Sequence, residues 1–316
     1  MTVQPFLLKP AFKDYLWGGD KLKHLYNKRS DLMIISESWE LSVCKGSESS
    51  IASGELKGMS LGEFAQKYPG FLGTKDGIKL LIKLIDAKQD LSVQVHPDDG
   101  YAARVENSNG KTEAWHILER EPGAYLYCGF LKETTSEEVR ERIQNNTIEK
   151  IMQKIPVEPG DKYFIPAGTI HAIGAGILIA EIQQNSDLTY RVYDFNRRGP
   201  DGNPRELHVK KALDVMSFKQ ATQSDKDAPA AQKAHGYTLS RIACCDYFTV
   251  DKLALDGSFE RKINGRYLSL LCTDGTGELD CAGTLAVNKG DSIFIPANNP
   301  GFSISGTGAF LITSQN

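Results

Sequence analysis

VEPGDKYFIPAGTIHA, residues 157–172, returns 130 residues later as VNKGDSIFIPANNPGF, residues 287–302. Identities fall at Val157/Val287, Gly160/Gly290, Asp161/Asp291, Phe164/Phe294, Ile165/Ile295, Pro166/Pro296 and Ala167/Ala297. Each copy reads as a Gly-Asp turn, a short β-rich strand and a Pro-Ala turn. So long a spacing predicts two related β domains and not a solenoid, whose repeats run ~20–50 residues. The copies differ where chemistry is at stake: position 171 is His and its counterpart 301 is Gly. One copy keeps a potential ligand that the other lacks.

Outward from the repeat, most of the chain reads as strand. KLLIKLID (79–86), LSVQVH (91–96), EAWHILER (113–120), AYLYCGF (124–130), KYFIPAG (162–168) and ILIAEIQ (177–183) are short, β-rich and bounded by turn residues. Helix is predicted over 136–154, where Thr135 and Glu138 have capping-box spacing, over 205–217 and near 61–69. The aperiodic, small-residue stretch 219–236 is expected to be a linker. This divides the chain into 1–218, with helical insertions, and 237–316.

The 316 residues are 41% hydrophobic and 24% charged, enough to bury cores without disulfides. A net charge of −3 argues against nucleic-acid and anionic-membrane partners. The first residues lack the apolar run of a signal peptide, and no stretch has the length of a membrane span. The six cysteines form no CxxC pair and predict reduced, mostly buried thiols in a cytoplasmic protein. GAGILIA (174–180) imitates a dinucleotide fingerprint but leads into a strand, so no nucleotide site is expected.

Gln94 and His96 lie two apart on one strand face, with Val93 and Val95 on the other. Glu113 shares a face with Trp115 and Ile117, where a carboxylate is costly unless paired or metal-bound. With His171 these residues offer two imidazoles and two oxygen ligands from three strands. Two His and a carboxylate form a common catalytic zinc set, and the same donors suit Fe(II). Trp17, with Gly18-Gly19, and Trp39 in SESWELS could line a sugar site, but core packing is the expectation.

The order G-x5-P-x-G-x2-H through Gly160, Pro166, Gly168 and His171 resembles the second cupin motif, with Ala175 where its usual Asn stands. Gln94-Val-His96 replaces the usual His-x-His. That variant resembles the type I phosphomannose isomerases, through KPAFKDYLWGG (9–19), LIKLIDAKQDLSVQVHPDD (81–99), KTEAWHIL (111–118), PAGTIHAIGAG (166–176) and YRVYDFNR (190–197). The resemblance implies a mostly β fold, a cupin jelly roll with helical additions plus a second, smaller cupin-like β domain that has lost its metal. It implies one zinc ion on Gln94, His96, Glu113 and His171. It implies Arg191 as the active-site arginine and Lys83, Ser92, Lys111, Glu181 and Asp187 in the pocket. The implied reaction interconverts mannose 6-phosphate and fructose 6-phosphate through an enediol, with Glu181 or Lys111 moving the proton. The donor set by itself leaves open an Fe(II) oxygenase or a non-catalytic sugar-phosphate-binding cupin.

Overall fold

The structure is a computed structural model that describes residues 3–199, 202–221 and 230–316. Three antiparallel sheets organise it. One has the strand order Lys162–Ile165, Glu113–Arg120, Ile177–Gln184, Leu80–Ala87, Glu37–Leu41 and Ala11–Lys13. A second runs Tyr190–Tyr193, Val93–Val95, His171–Ile173, Tyr125–Phe130 and Met152–Pro156. Ile85, Trp115, Ile117 and Ile179 of the first meet Leu126 and Ile173 of the second in one buried cluster, closing a two-sheet β roll. The third sheet has nine strands and contains Tyr237–Cys244 onward together with Phe6–Lys9 and Ser50–Ile51.

The near-continuous apolar run KLLIKLID has a direct cause. Ile82 and Leu84, with Ala180 and Ile182 beside them, pack backwards onto Phe248, Leu271, Phe294 and Leu311 of the C-terminal sheet. Ile85 faces forward into the roll. A strand buried on both faces has no polar alternation to show.

The repeat is the same turn built twice. Asp161 Oδ2 accepts from Glu158 N at 2.8 Å, and Asp291 Oδ2 accepts from Asn288 N at 2.8 Å. Each turn leads into a four-residue strand, and the next strand opens at His171 in one copy and Gly301 in the other. The C-terminal interior is filled by Leu253, Leu270, Ile293, Ile304 and Phe310.

Several local expectations are corrected. The helix predicted over 136–154 spans only Ser136–Gln144, because Asn145 ends it and Asn146 turns left-handed (φ 52°); Met152–Pro156 then pairs as a strand. Thr135 Oγ1 does cap Glu138 N at 3.2 Å, but the Glu138 carboxylate accepts from Thr134 instead of completing the box. The helix predicted over 205–217 is confined to Val209–Val215. Of the expected linker, 222–229 lies outside the described residues, Gln220 bridges to Phe130, and Gln232–Ala234 is an edge strand. The cysteines are free, but only Cys272 and Cys281 are fully buried, and Cys244 is exposed. No helix among the described residues is long and apolar enough to cross a membrane.

Candidate metal centre and active-site cavity

The inward rows of the first sheet change from apolar to ionisable along each strand. Ile177 and Ile179 give way to Glu181, Ile117 and Trp115 to Glu113, and Ile85 to Lys83. Register sets Lys83 beside Glu181, and Glu181 beside Trp115. Across the roll, Arg191 pairs with Gln94, and Gln94 with His171, in a single row. The apolar end is the floor of the roll and the ionisable end its charged face.

His96, Glu113 and His171 place one donor atom each within 4.8 Å of one another, all three buried. His171 Nε2 is 3.2 Å from Glu113 Oε1, and His96 Nε2 is 3.7 Å from Glu113 Oε2. Each imidazole is oriented from behind. His96 Nδ1 lies 2.7 Å from the Leu188 carbonyl and His171 Nδ1 2.8 Å from the Thr169 carbonyl. A carbonyl can only accept, so Nδ1 carries the proton and Nε2 presents its lone pair. Gln94 is half-buried, its side-chain amide 3.4 Å from His171 Nε2.

The excursion from His96 to Lys111 is closed by Gly110. Its N–H donates to Asp99 Oδ1 at 2.7 Å, and a Cβ there would lie 2.5 Å from Asp99 N. Gln184 then accepts from Thr112 N at 2.8 Å and donates to Asp99. Helix Asp99–Glu106 thereby returns the chain with Lys111 and Glu113 aimed inward. Lys111 Nζ donates to Glu113 Oε2 at 2.6 Å and lies 3.1 Å from His96 Nε2.

Beside this centre opens a cavity of about 370 Å³. Every pocket residue expected from the sequence lines it: Lys83, Ser92, Lys111, Glu181, Asp187 and Arg191, with Gln94. Their charges alternate. Lys83 lies 3.6 Å from Glu37 and 3.3 Å from Glu181, and Lys111 lies 4.0 Å from Glu181. Glu181 Oε2 accepts from Trp115 Nε1 at 2.9 Å, while its Oε1 accepts no hydrogen bond. Arg191 donates through Nε to Ser92 Oγ at 3.3 Å and through Nη1 to the Glu206 carbonyl at 3.0 Å. Asp187 is exposed at the rim.

Burial, and then the neighbouring Glu181 charge, push the Glu113 carboxyl up to about 7. Burial acts on Glu181 too, but the Lys111 and Lys83 ammoniums outweigh it and hold its carboxyl below the usual range. Burial and Lys111 hold His171 down to about 4 and His96 well below the ordinary imidazole value. Both imidazoles are neutral near pH 7, the form that can bind a metal ion.

Sequence reasoning missed Glu37, Lys13, Tyr15 and Arg205 in the cavity wall, and placed Trp17 and Trp39 in the core. Both indoles are buried yet face the cavity. Part of the signal was available: Glu37 and Trp39 alternate along one strand, whereas Tyr15 and Trp17 lie past the end of Ala11–Lys13.

Fold and site together define a cupin roll whose inward His-Glu-His set borders a charged, open cavity. Residues 6–126 match the family model "Phosphomannose isomerase type I, catalytic domain", and 238–316 match "Mannose-6-phosphate isomerase, cupin domain". The chain is 36% identical over 313 residues to the probable mannose-6-phosphate isomerase GmuF of Bacillus subtilis, covering 98% of each. It is 33% identical over 317 residues to the mannose-6-phosphate isomerase ManA of the same organism, covering 99% of each. The crystal structure of the Bacillus subtilis mannose 6-phosphate isomerase superposes with a TM-score of 0.93 at 33% identity, over 98% of this chain and 99% of that one. The chain belongs to the type I phosphomannose isomerase family, whose members are aldose–ketose isomerases.

Proposed function

We propose that this protein interconverts mannose 6-phosphate and fructose 6-phosphate in the cytoplasm, using one zinc ion held by His96, Glu113, His171 and Gln94. The observation that carries the reading is the buried donor set beside a cavity whose wall holds Glu181 Oε1 ion-paired between the Lys83 and Lys111 ammoniums. The set fits the ion: Glu113 Oε1 is buried and accepts no hydrogen bond, and both Nε2 atoms are presented by backbone carbonyls. Two imidazoles and a carboxylate suit zinc, and Gln94, whose Oε1 accepts from Ser92 Oγ at 3.4 Å, would supply its amide oxygen as a fourth ligand. Bound zinc would polarise the sugar carbonyl and orient adjacent hydroxyls, without redox demand.

In the proposed reaction Glu181 Oε1 takes the proton from C2 of the aldose and returns it to C1. The proton on the C2 hydroxyl passes to the C1 oxygen through the enediol, so atoms balance with no further reactant. Lys111 is engaged by Glu113 and His96, which favours Glu181 as the base and leaves Lys111 as a fixed positive charge beside the developing oxyanion. Arg191, backed by Ser92, meets the phosphate or the enediolate as a fork, and Lys83 as a point charge.

Arg191→Ala is expected to lower kcat by at least ~100-fold, the scale of losing one transition-state donor, with metal content unchanged. Near-normal turnover in that variant removes Arg191 from the role. The proposal as a whole is tested by a coupled assay for fructose 6-phosphate before and after chelation, with zinc or iron added back. Turnover that vanishes with chelator and returns with zinc supports it. A zinc-loaded protein without turnover refutes it, and oxygen uptake restored only by iron establishes the oxygenase.

A further inference from the structure

Strand Glu37–Leu41 has two faces with different work. Glu37 and Trp39 point into the cavity, where Glu37 Oε2 accepts from Trp39 Nε1 at 2.7 Å and the Lys83 ammonium lies 4.9 Å from the Trp39 ring centre. Between Trp39 and Leu41 the pairing with Leu80–Ala87 slips: Trp39 opposes Lys83, but Leu41 opposes Ile82, so Glu40 is the extra residue of a β-bulge. Bulges bend a strand and re-aim the side chains beside them.

Glu40 is fully buried, and an ion pair fixes it. Lys28 Nζ lies 2.6 Å from Glu40 Oε1, and Ser38 Oγ donates to the same oxygen at 2.6 Å. The ammonium also donates to the Gly290 carbonyl at 2.6 Å, and Ser292 Oγ donates to the Glu40 carbonyl at 3.3 Å. Gly290 belongs to the second copy of the repeated turn. Its φ of 92° and a Cβ position 2.3 Å from the Tyr26 carbonyl leave room only for glycine as that turn closes on the Lys28 segment. Burying two charges is expensive, and apolar side chains of similar size commonly give equal or greater stability. A pair kept there, on a bulge, with Glu40 Oε2 lacking any hydrogen bond, is poorly explained by stability alone.

We infer that Lys28 and Glu40 are positioning residues: they lock the Glu40 bulge against the Gly290 turn, so that the C-terminal domain sets the aim of Trp39 and Glu37 in the substrate cavity. On this reading the copy of the repeat without a histidine holds the other copy's cavity in shape. The inference rests on the cavity being the sugar-phosphate site.

The test removes the charges while keeping the volume. Glu40→Leu alone strands the Lys28 ammonium and is expected to melt several degrees lower. Lys28→Met/Glu40→Leu is expected to regain the wild-type melting temperature, yet to keep a KM for mannose 6-phosphate raised about tenfold with kcat within about threefold. Amide exchange in a peptide spanning 36–42 should be at least tenfold faster in the double variant, with Leu80–Ala87 unchanged. Wild-type KM together with wild-type exchange in a stable double variant overturns the inference. Should that variant not fold, Ser38→Ala removes only the hydroxyl on Glu40 Oε1. It is expected to raise KM two- to threefold at unchanged melting temperature, and no change overturns the inference. A wild-type protein without turnover refutes the isomerase reading, and the exchange data then judge the lock separately.

Discussion

Purified His171→Ala protein is expected to carry less than about a tenth of the wild-type metal and to lose more than ~100-fold in turnover. Losing an outer-shell partner of a metal ligand already costs ~10–100-fold, and losing a ligand costs at least as much. The geometry makes partial compensation poor. With His171 gone, the remaining proposed donors are His96, Glu113 and Gln94, and Glu113 is already held by Lys111 at 2.6 Å. Gln94 loses the neighbour against which its amide packs. His171 opens a three-residue strand paired on both sides by backbone bonds, so the roll is expected to survive the truncation. Elemental analysis of metal per chain, read beside the coupled assay, separates the outcomes. Unchanged metal content would refute the ligand assignment even if activity fell.

Glu181→Gln is expected to lower kcat by ~10²–10⁴-fold, the range for removing a positioned acid–base group, while zinc content stays at the wild-type level. The substitution is nearly isosteric, and its amide oxygen can still accept from Trp115 Nε1, which holds the side chain at 2.9 Å. What disappears is the charge between Lys83 and Lys111 and the basic oxygen facing the cavity. Proton NMR of the hexose 6-phosphates in D2O reads the step directly, since the proposed base exchanges the C2 proton with solvent. Solvent deuterium still entering C2 at the wild-type rate would move the role to Lys111.

How much of this was legible in the sequence depended on the range of the determining contact. The strands were legible because their β-branched runs end at Gly, Pro and Asp. The grouping of His96, Glu113 and His171 was legible because Glu113 and His171 open strands and His96 directly follows one, with Gln94 two residues before it on the same face. The 136–154 helix was overcalled because its charged periodicity continues past Asn145-Asn146, and only the pairing of Met152–Pro156 with Tyr125–Phe130 reveals the switch. Glu37 was missed, and Trp39 was assigned to the core ahead of a sugar site, for a similar reason. A buried indole looks like core from its own segment, and its exposure to a cavity depends on Lys83 and Glu181, some 45 and 140 residues away. The bulge at Glu40 depends on Lys28 and Gly290 together, and no local pattern encodes that.

The strand Phe6–Lys9 has a consequence for how the chain is made. Its neighbours in the sheet are Ser50–Ile51 and Ser292–Ile295, with Phe6 opposite Phe294 and Leu8 opposite Ser292. On the ribosome this segment is made well before Ser292–Ile295, and one edge stays unpaired until some 286 further residues have been added. At about 5–20 residues per second that wait is on the order of 15–60 s. For that interval Phe6 and Leu8, both buried in the finished protein, are open to other chains and to chaperones. Shortening the wait by circular permutation, with a new start between Gln220 and Gln232, would place the strand's synthesis next to that of its partner.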